Sequence, residues 1–396
     1  MIQDLRYAVR SLLRRKALFG VAVATLALGV GASTSLFSIV NAVLLRPLPY
    51  RGSERMAVLW HVFGQGAQDL PAMHQKDYAD YRDRSKTLEA LTIARGSSGI
   101  LGDASDPQIV QIGLVAANFF DFLGVRPQLG RIFHQAEDER GGPDVAILSD
   151  SLWRSRFGAD PAIVGRTILL RARRVEVVGV LPAGFKLELP AETFQLRDSE
   201  VYQPAQIDFQ TTSSRTSTTY TVFARLTPSA SFAQAQRELS AIATQLRAEH
   251  PDHEAADLRV KVIPFHHDVV KGTTHGLWML MAAVGLLLAI ACTNVALLML
   301  ARGRSRDREL LVRVAVGASR GRISRLVFAE SMVIAACGGL LGIALARLAL
   351  VLVWTRTLSS VPRLDAVSID VAVLAFAVGT TATAAIGCGL LAAWRA

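Results

Sequence analysis

The chain has 396 residues, 51% of them apolar, and a mean hydropathy of +0.33. A soluble chain of this length does not carry so much apolar surface, so part of it belongs in lipid. The formal charge of +10 does not mark a nucleic-acid binder: the arginines are not interleaved with aromatics on one domain but border long apolar runs, as in cytoplasmic loops of membrane proteins.

Residues 1–16 hold Arg6, Arg10, Arg14, Arg15 and Lys16, with Leu5, Val9, Leu12 and Leu13 on the opposite face, which predicts a cytoplasmic amphipathic helix. From Ala17 to Leu45 no residue is charged, and a run of that length exceeds both the roughly 7–15 residues of a signal-peptide core and the about 20 needed to span a bilayer. Residues 17–45 are therefore the first transmembrane helix. Its small residues Gly20, Ala24, Ala27, Gly29, Gly31 and Ala32 suit close packing on other helices. Uncharged runs recur at 276–301 and 371–394, and a fourth candidate, 323–354, carries Glu330 near one end and Arg347 nearer the other. A long arginine stem can reach back to the headgroups, so 323–354 is also read as a span. The basic segments 1–16 and 302–322 belong inside, whereas the loop 355–370 balances Arg356 and Arg363 against Asp365 and Asp370. Both termini are then cytoplasmic and residues 46–275 extracytoplasmic.

A connection as long as 46–275 must be a folded domain. It opens on Arg46-Pro47-Leu48-Pro49-Tyr50, stiffened by its prolines. Apolar patterning predicts strands at 58–62, 109–115, 145–148, 168–170, 175–180, 220–226 and 258–263, and helices at 75–88, at 118–123 ended by Gly124, from Ser149, and at 231–250. The last strand–helix–strand succession suggests a ferredoxin-like subdomain beside a second one built from 110–200, an α+β domain with Thr211–Thr219 as a flexible connection.

No enzyme signature has its required spacing. There is no G-x-x-x-x-G-K-[ST] to cradle a nucleotide phosphate, no H-E-x-x-H and no G-x-S-x-G. His250 and His253 are separated by Pro251, and His266 and His267 are neighbours that a strand would point apart, so both pairs read as solvated histidines rather than metal ligands. Glu137-Asp138-Glu139-Arg140 reads as a solvated loop. Cys292, Cys337 and Cys388 all fall in apolar runs, so the outer domain has no disulfide framework. No cofactor is expected.

Residues 302–322 are the most informative segment. Glu309 and Arg313 form an i,i+4 pair, Leu311, Val312, Ala315 and Val316 make an apolar side, Gly317 can end the helix and Ser319 can cap the next. The reading is a short amphipathic helix on the inner membrane face, either resting on lipid headgroups or docking a cytoplasmic protein.

Three stretches resemble the FtsX-like permease family, in its macrolide-exporter branch with a MacB-like periplasmic core domain. They are Ala27-Leu28-Gly29-Val30-Gly31-Ala32 through Phe37–Tyr50; Asn118-Phe119-Phe120 through Leu123-Gly124-Val125, Leu129-Gly130-Arg131, Leu148-Ser149, Trp153, Phe157-Gly158, Gly165-Arg166 and Val177–Val180; and Thr293-Asn294-Val295 with Arg308-Glu309, Arg313, Ala315, Gly317–Arg320 and Glu330-Ser331. The resemblance implies a bacterial inner-membrane homodimer, served by a cytoplasmic ABC ATPase bound in trans, that transmits work across the membrane to export or extract a substrate. A periplasmic adaptor or outer-membrane partner is a further expectation. Large relatives repeat the unit twice; this chain carries it once, and is expected to be a single-unit homologue or a truncated half. The expected ATPase-coupling residues are Arg308, Glu309, Arg313, Gly317, Ala318, Ser319 and Arg320, with Asn294 and Glu330 as intramembrane polar positions. The expected fold is thus a multi-pass α-helical membrane protein with four transmembrane helices and a large α+β domain inserted between the first two. The competing reading is a membrane-anchored sensor or scaffold without ATP-coupled transport.

Overall fold

The computed structural model describes residues 10, 16–64, 72–189, 196, 199–209, 215, 219–304, 320–355 and 367–394. The chain divides into two compact units, Met1–Arg46 with Thr273–Ala396, and Pro47–Gly272.

Helix α1 (Lys16–Val40) is followed directly by a π-helical turn, Asn41–Leu45. The second unit then runs β1 (Met56–Phe63), α2 (Gln75–Arg84), β2 (Leu88–Leu101), β3 (Gln108–Val115), α3 (Phe119–Leu123), β4 (Leu129–Gly130), β5 (Val145–Leu148), α4 (Asp150–Phe157), β6 (Thr167–Leu170), β7 (Arg173–Val180), β8 (Val201–Pro204), β9 (Thr221–Leu226), α5 (Phe232–Glu249), α6 (Pro251–Ala255) and β10 (Leu258–Pro264). Helices α7 (Phe265–Arg304), α8 (Arg320–Thr355) and α9 (Val371–Trp394) complete the chain.

One sheet runs in the order β10-β1-β9-β2-β3-β8-β5-β7-β4, with β6 pairing β2 and β7. β1 lies antiparallel between β10 and β9, and β9 lies antiparallel between β1 and β2. The two strand–helix–strand units, β1-α2-β2 and β9-α5-β10, are therefore interleaved, which is the ferredoxin-like arrangement, and everything from Gly102 to Tyr220 is inserted between its halves. Where two neighbouring subdomains are expected from the sequence, a single strand joins them: β2 pairs with β9 through Leu88–Ala94 and with β3 through Ala94–Leu101.

Two apolar clusters cover different parts of this sheet. Ala235, Leu239, Ile242, Ala243 and Leu246 recur along one face of α5 and pack with Tyr78 and Tyr81 of α2 against Leu59, Ile93 and Val222. The helix starts where its sequence says: Ser231 and Gln234 form a capping box. Leu152 and Trp153 of α4 pack against Val110, Ile112, Ala146, Val177 and Val201 in the second cluster. Gly130 holds φ +74, and a Cβ there would lie 2.2 Å from the Val178 carbonyl oxygen, so no other residue fits that pairing of β4 with β7.

Helix α2 ends at Arg84, short of the expected Leu88, because Leu88 already belongs to β2. Among the described residues three helical stretches are long and apolar enough to cross a membrane, Lys16–Leu45, Phe265–Met299 and Phe328–Leu352; the apolar part described in α9, Val371–Gly387, is shorter. The connection 211–219 lies outside the described residues except Arg215 and Thr219.

Candidate functional site

Among the expected coupling residues, Arg308, Glu309, Arg313, Gly317, Ala318 and Ser319 lie outside the described residues, and Arg320 is the first residue of α8. The two intramembrane polar positions differ in surroundings: Asn294 lies on an exposed part of α7, whereas Glu330 of α8 is buried at 5% exposure. Next to Glu330, the Ser331 hydroxyl is 3.4 Å from the Met299 sulfur of α7, so this turn of α8 is part of the seam between the two helices. Polar groups in such seams contribute on the order of 0.6 kcal/mol each, while an ion pathway needs a chain of them. Glu330→Gln, which keeps the shape and removes the charge, is therefore expected to change assembly slightly and leave transport intact; loss of transport with assembly preserved would make Glu330 a working carboxylate.

Around this seam the helices approach through small residues. In α1, Ala27, Gly29 and Gly31 are buried, while Gly20, Ala24 and Ala32 from the same periodic series are exposed. A Cβ added at Gly342 of α8 would lie 3.0 Å from the Ala27 carbonyl oxygen and 3.1 Å from the Gly31 nitrogen. At the other end of α1, the Asn41 amide donates to the Asp370 carboxylate at 2.8 Å, and the second Asp370 oxygen accepts from the Val373 N–H at 2.9 Å, capping α9. Phe37 and Phe376 stack at 4.0 Å just before this tie. Asp370, expected only as a loop charge, thus links α1 to α9.

The domain unit corrects two readings. Glu137 does not sit in a solvated loop: it is buried at 5% exposure, accepts from the His134 N–H and pairs with Arg131 at 2.6 Å. Burial pushes its carboxyl up, and the Arg131 hydrogen bond with the His134 N–H more than offsets this, leaving it below the usual carboxylate range. Its neighbour Asp138 accepts from the Ala117 and Gln206 N–H groups, and burial dominates there, raising its pKa. Nor is His253 solvated: it is wholly buried, with Nε2 3.2 Å from Asp77. Pro251, which argues against a longer helical face, instead opens the short helix α6 that carries His253 inward. Spacing alone gave no signal for either contact, because both partners come from distant segments.

A cleft of about 690 Å³ lies beside Asp138, walled by Tyr78, Arg82, Leu91, Ile207 and Phe209. Among the described residues no set of three histidine, cysteine or carboxylate side chains is arranged to hold a metal ion.

Comparison with known proteins places both units. The model of the MacB-like periplasmic core domain matches residues 19–242, and that of the FtsX-like permease C-terminal region matches 279–396. The macrolide export ATP-binding/permease protein MacB 1/2 of Paracoccus denitrificans is 26% identical over 330 residues, covering 79% of this chain and 47% of that protein. MacB of Neisseria meningitidis serogroup A is 24% identical over 332 residues, covering 80% and 49%. The chain spans about half the length of these curated relatives. The periplasmic region of MacB from Actinobacillus actinomycetemcomitans superposes with a TM-score of 0.40 at 16% identity, over 56% of this chain and 94% of that one. With a MacB-like core domain and an FtsX-like C-terminal region matched in succession, the chain belongs to the family of FtsX-like, MacB-type ABC transporter permeases.

Proposed function

We propose that this chain is the membrane-spanning subunit that carries ATP-driven movement from a cytoplasmic ABC ATPase to its extracytoplasmic domain, working as a homodimer to export or extract a substrate. The observation that carries the reading is the way the apolar helices meet the domain. Strand β10 ends at Pro264 and α7 begins at Phe265 with no loop between them, while only ten residues separate Leu45 of the first span from Met56 of β1. Both ends of the domain are thus direct continuations of apolar helices, so a displacement of α1 against α7 has little slack chain to absorb it.

The sequence carries no phosphate-binding loop of its own, so hydrolysis falls to an ATPase domain or subunit, docked on 302–322 and on the amphipathic N-terminus. The relatives' names join ATP-binding and permease, which supports the pairing. Four crossings with both termini inside, α9 being the fourth, would place 46–275 outside.

Topology is the direct test. In a background where Cys292, Cys337 and Cys388 are replaced, a cysteine at Ser213 is expected to react with an impermeant thiol reagent in intact cells, and one at Ser305 is expected to stay unlabelled. The opposite labelling would invert the assignment. Membranes that yield a correctly oriented chain and no associated ATPase would instead favour the sensor or scaffold role.

A further inference from the structure

Three segments far apart in sequence bring ionisable side chains to one buried point of the ferredoxin-like half. Asp77 of α2 is at its centre and has no exposed side-chain surface. One of its oxygens, Oδ2, lies 3.2 Å from Nε2 of His253 on α6 and 3.8 Å from Nδ1 of His61 on β1, both rings also fully buried. The other oxygen accepts from Arg215 at 2.7 Å, and the same guanidinium reaches Asp80 at 2.5 Å.

The surroundings leave a proton on His61 poorly accommodated. Tyr81 of α2 stands edge-on to the His61 ring at 5.9 Å, and across the strand pair His61 faces Val260 of β10. From the other elements the charged or titratable groups are His74 at the start of α2, whose Nδ1 already accepts the Lys76 N–H, and His250 at the α5–α6 junction, whose ring meets His253 at 5.5 Å. Arg84 of α2 is committed to Asp80 and to Glu249. Asp77 is therefore the carboxylate nearest His61, and its two oxygens already serve His253 and Arg215.

We propose that His61, Asp77 and His253 form an acid-releasable clasp, which holds α6 and the Arg215 segment onto β1 and α2 at neutral pH and opens when His61 takes up a proton.

Burial holds His61 down to about 4 from its ordinary 6.5, with Asp77 opposing and the His253 and His74 rings adding to the shift. The folded state consequently binds fewer protons than the unfolded one between these values. Stability is full above pH 6.5, falls as pH drops toward 4 and levels below it. Asp77 behaves differently. Burial raises its pKa, but the His253 hydrogen bond and neighbouring positive charges bring it below the ordinary 3.8, so its own contribution is lost only at still lower pH. The window between 4 and 6.5 thus belongs to the histidine. The clasp itself does not rest on the transport reading; an extracytoplasmic location would expose it to whatever acidity surrounds the cell.

The test uses the full chain in detergent or nanodiscs. Exchange at the imidazole C2 position, followed by mass spectrometry across pH, reads each histidine in the unaltered protein; His61 is expected to titrate well below the exposed His134. Amide exchange over 56–63, 75–84 and 251–255, corrected for intrinsic rates, is expected to lose roughly 50- to 100-fold of its protection between pH 7 and pH 4.5, following from the linkage between the two His61 values. His61→Gln is expected to abolish that dependence. Protection unchanged at pH 4.5, or the same loss in His61→Gln, overturns the clasp. Should His61→Gln fail to fold, a midpoint for His61 at or above that of His134 in the unaltered chain overturns it equally.

Discussion

Gly342→Ile is expected to lower the stability of the membrane unit by about 2–3 kcal/mol, the upper part of the range for overpacked interiors. The reason is where the added atoms would go. Even a single Cβ at Gly342 meets backbone, the Ala27 carbonyl at 3.0 Å and the Gly31 nitrogen at 3.1 Å, with the Val30 Cβ at 3.1 Å. Backbone of a packed helix cannot rotate aside as a side chain can, so α1 and α8 must separate. Within a bilayer there is little hydrophobic drive to hold them together again, because lipid competes equally well for apolar surface, and the close approach of backbones supplies most of the attraction. The matching position, Gly31, meets the Gly342 carbonyl at 3.0 Å, so the crowding is mutual. Gly285→Ile on α7 is the control, since nothing lies within 4 Å of a Cβ there. Equilibrium unfolding of the purified chain should show roughly a 30- to 160-fold shift toward the unfolded form for Gly342→Ile and little for Gly285→Ile. Equal behaviour of the two would mean that α1 and α8 are not held by this contact.

These contacts also show which features local sequence can encode. The series Gly20, Ala24, Ala27, Gly29, Gly31, Ala32 announces a packed helix, yet only its later members face α8, because period alone does not say which side a neighbour will take. Helix α5 is fully legible: Ser231, Gln234 and an apolar stripe are all local signals. Strand β2 is not. Residues such as Arg95, Gly96, Ser97, Ser98 and Gly99 have weak strand character, and they become a strand through their partners β3 and β9. The same holds for the polar interior. Asp77 and His253 lie 176 positions apart in the chain, and neither carries a local mark of burial; charged and imidazole side chains read as solvated until a distant partner satisfies them.

Coupling to the ATPase is where the largest functional loss is expected. Arg308, Glu309 and Arg313 lie on adjacent turns of the proposed cytoplasmic helix, and Gly317 sets the angle at which that helix leads into α8. Reversing Glu309 to Lys removes its pairing with Arg313, worth only about 0.2–0.5 kcal/mol to a helix, so folding should survive. A docking surface is less forgiving, because a like charge brought against a complementary patch costs several kcal/mol, roughly a thousandfold in affinity. Gly317→Val acts by another route. A β-branched residue strains a left-handed cap by roughly 1–2 kcal/mol, which changes how the helix is presented and leaves membrane insertion alone. Both variants are therefore expected at normal membrane abundance with the domain folded, and both are expected to lose ATPase recruitment and stimulated hydrolysis. Abundance and domain folding can be checked by quantitative blotting and limited proteolysis, and recruitment by co-purification of the ATPase. Binding equal to that of the unaltered chain in both variants would mean that 302–322 rests on lipid, and that the work reaching the domain, if any, enters elsewhere.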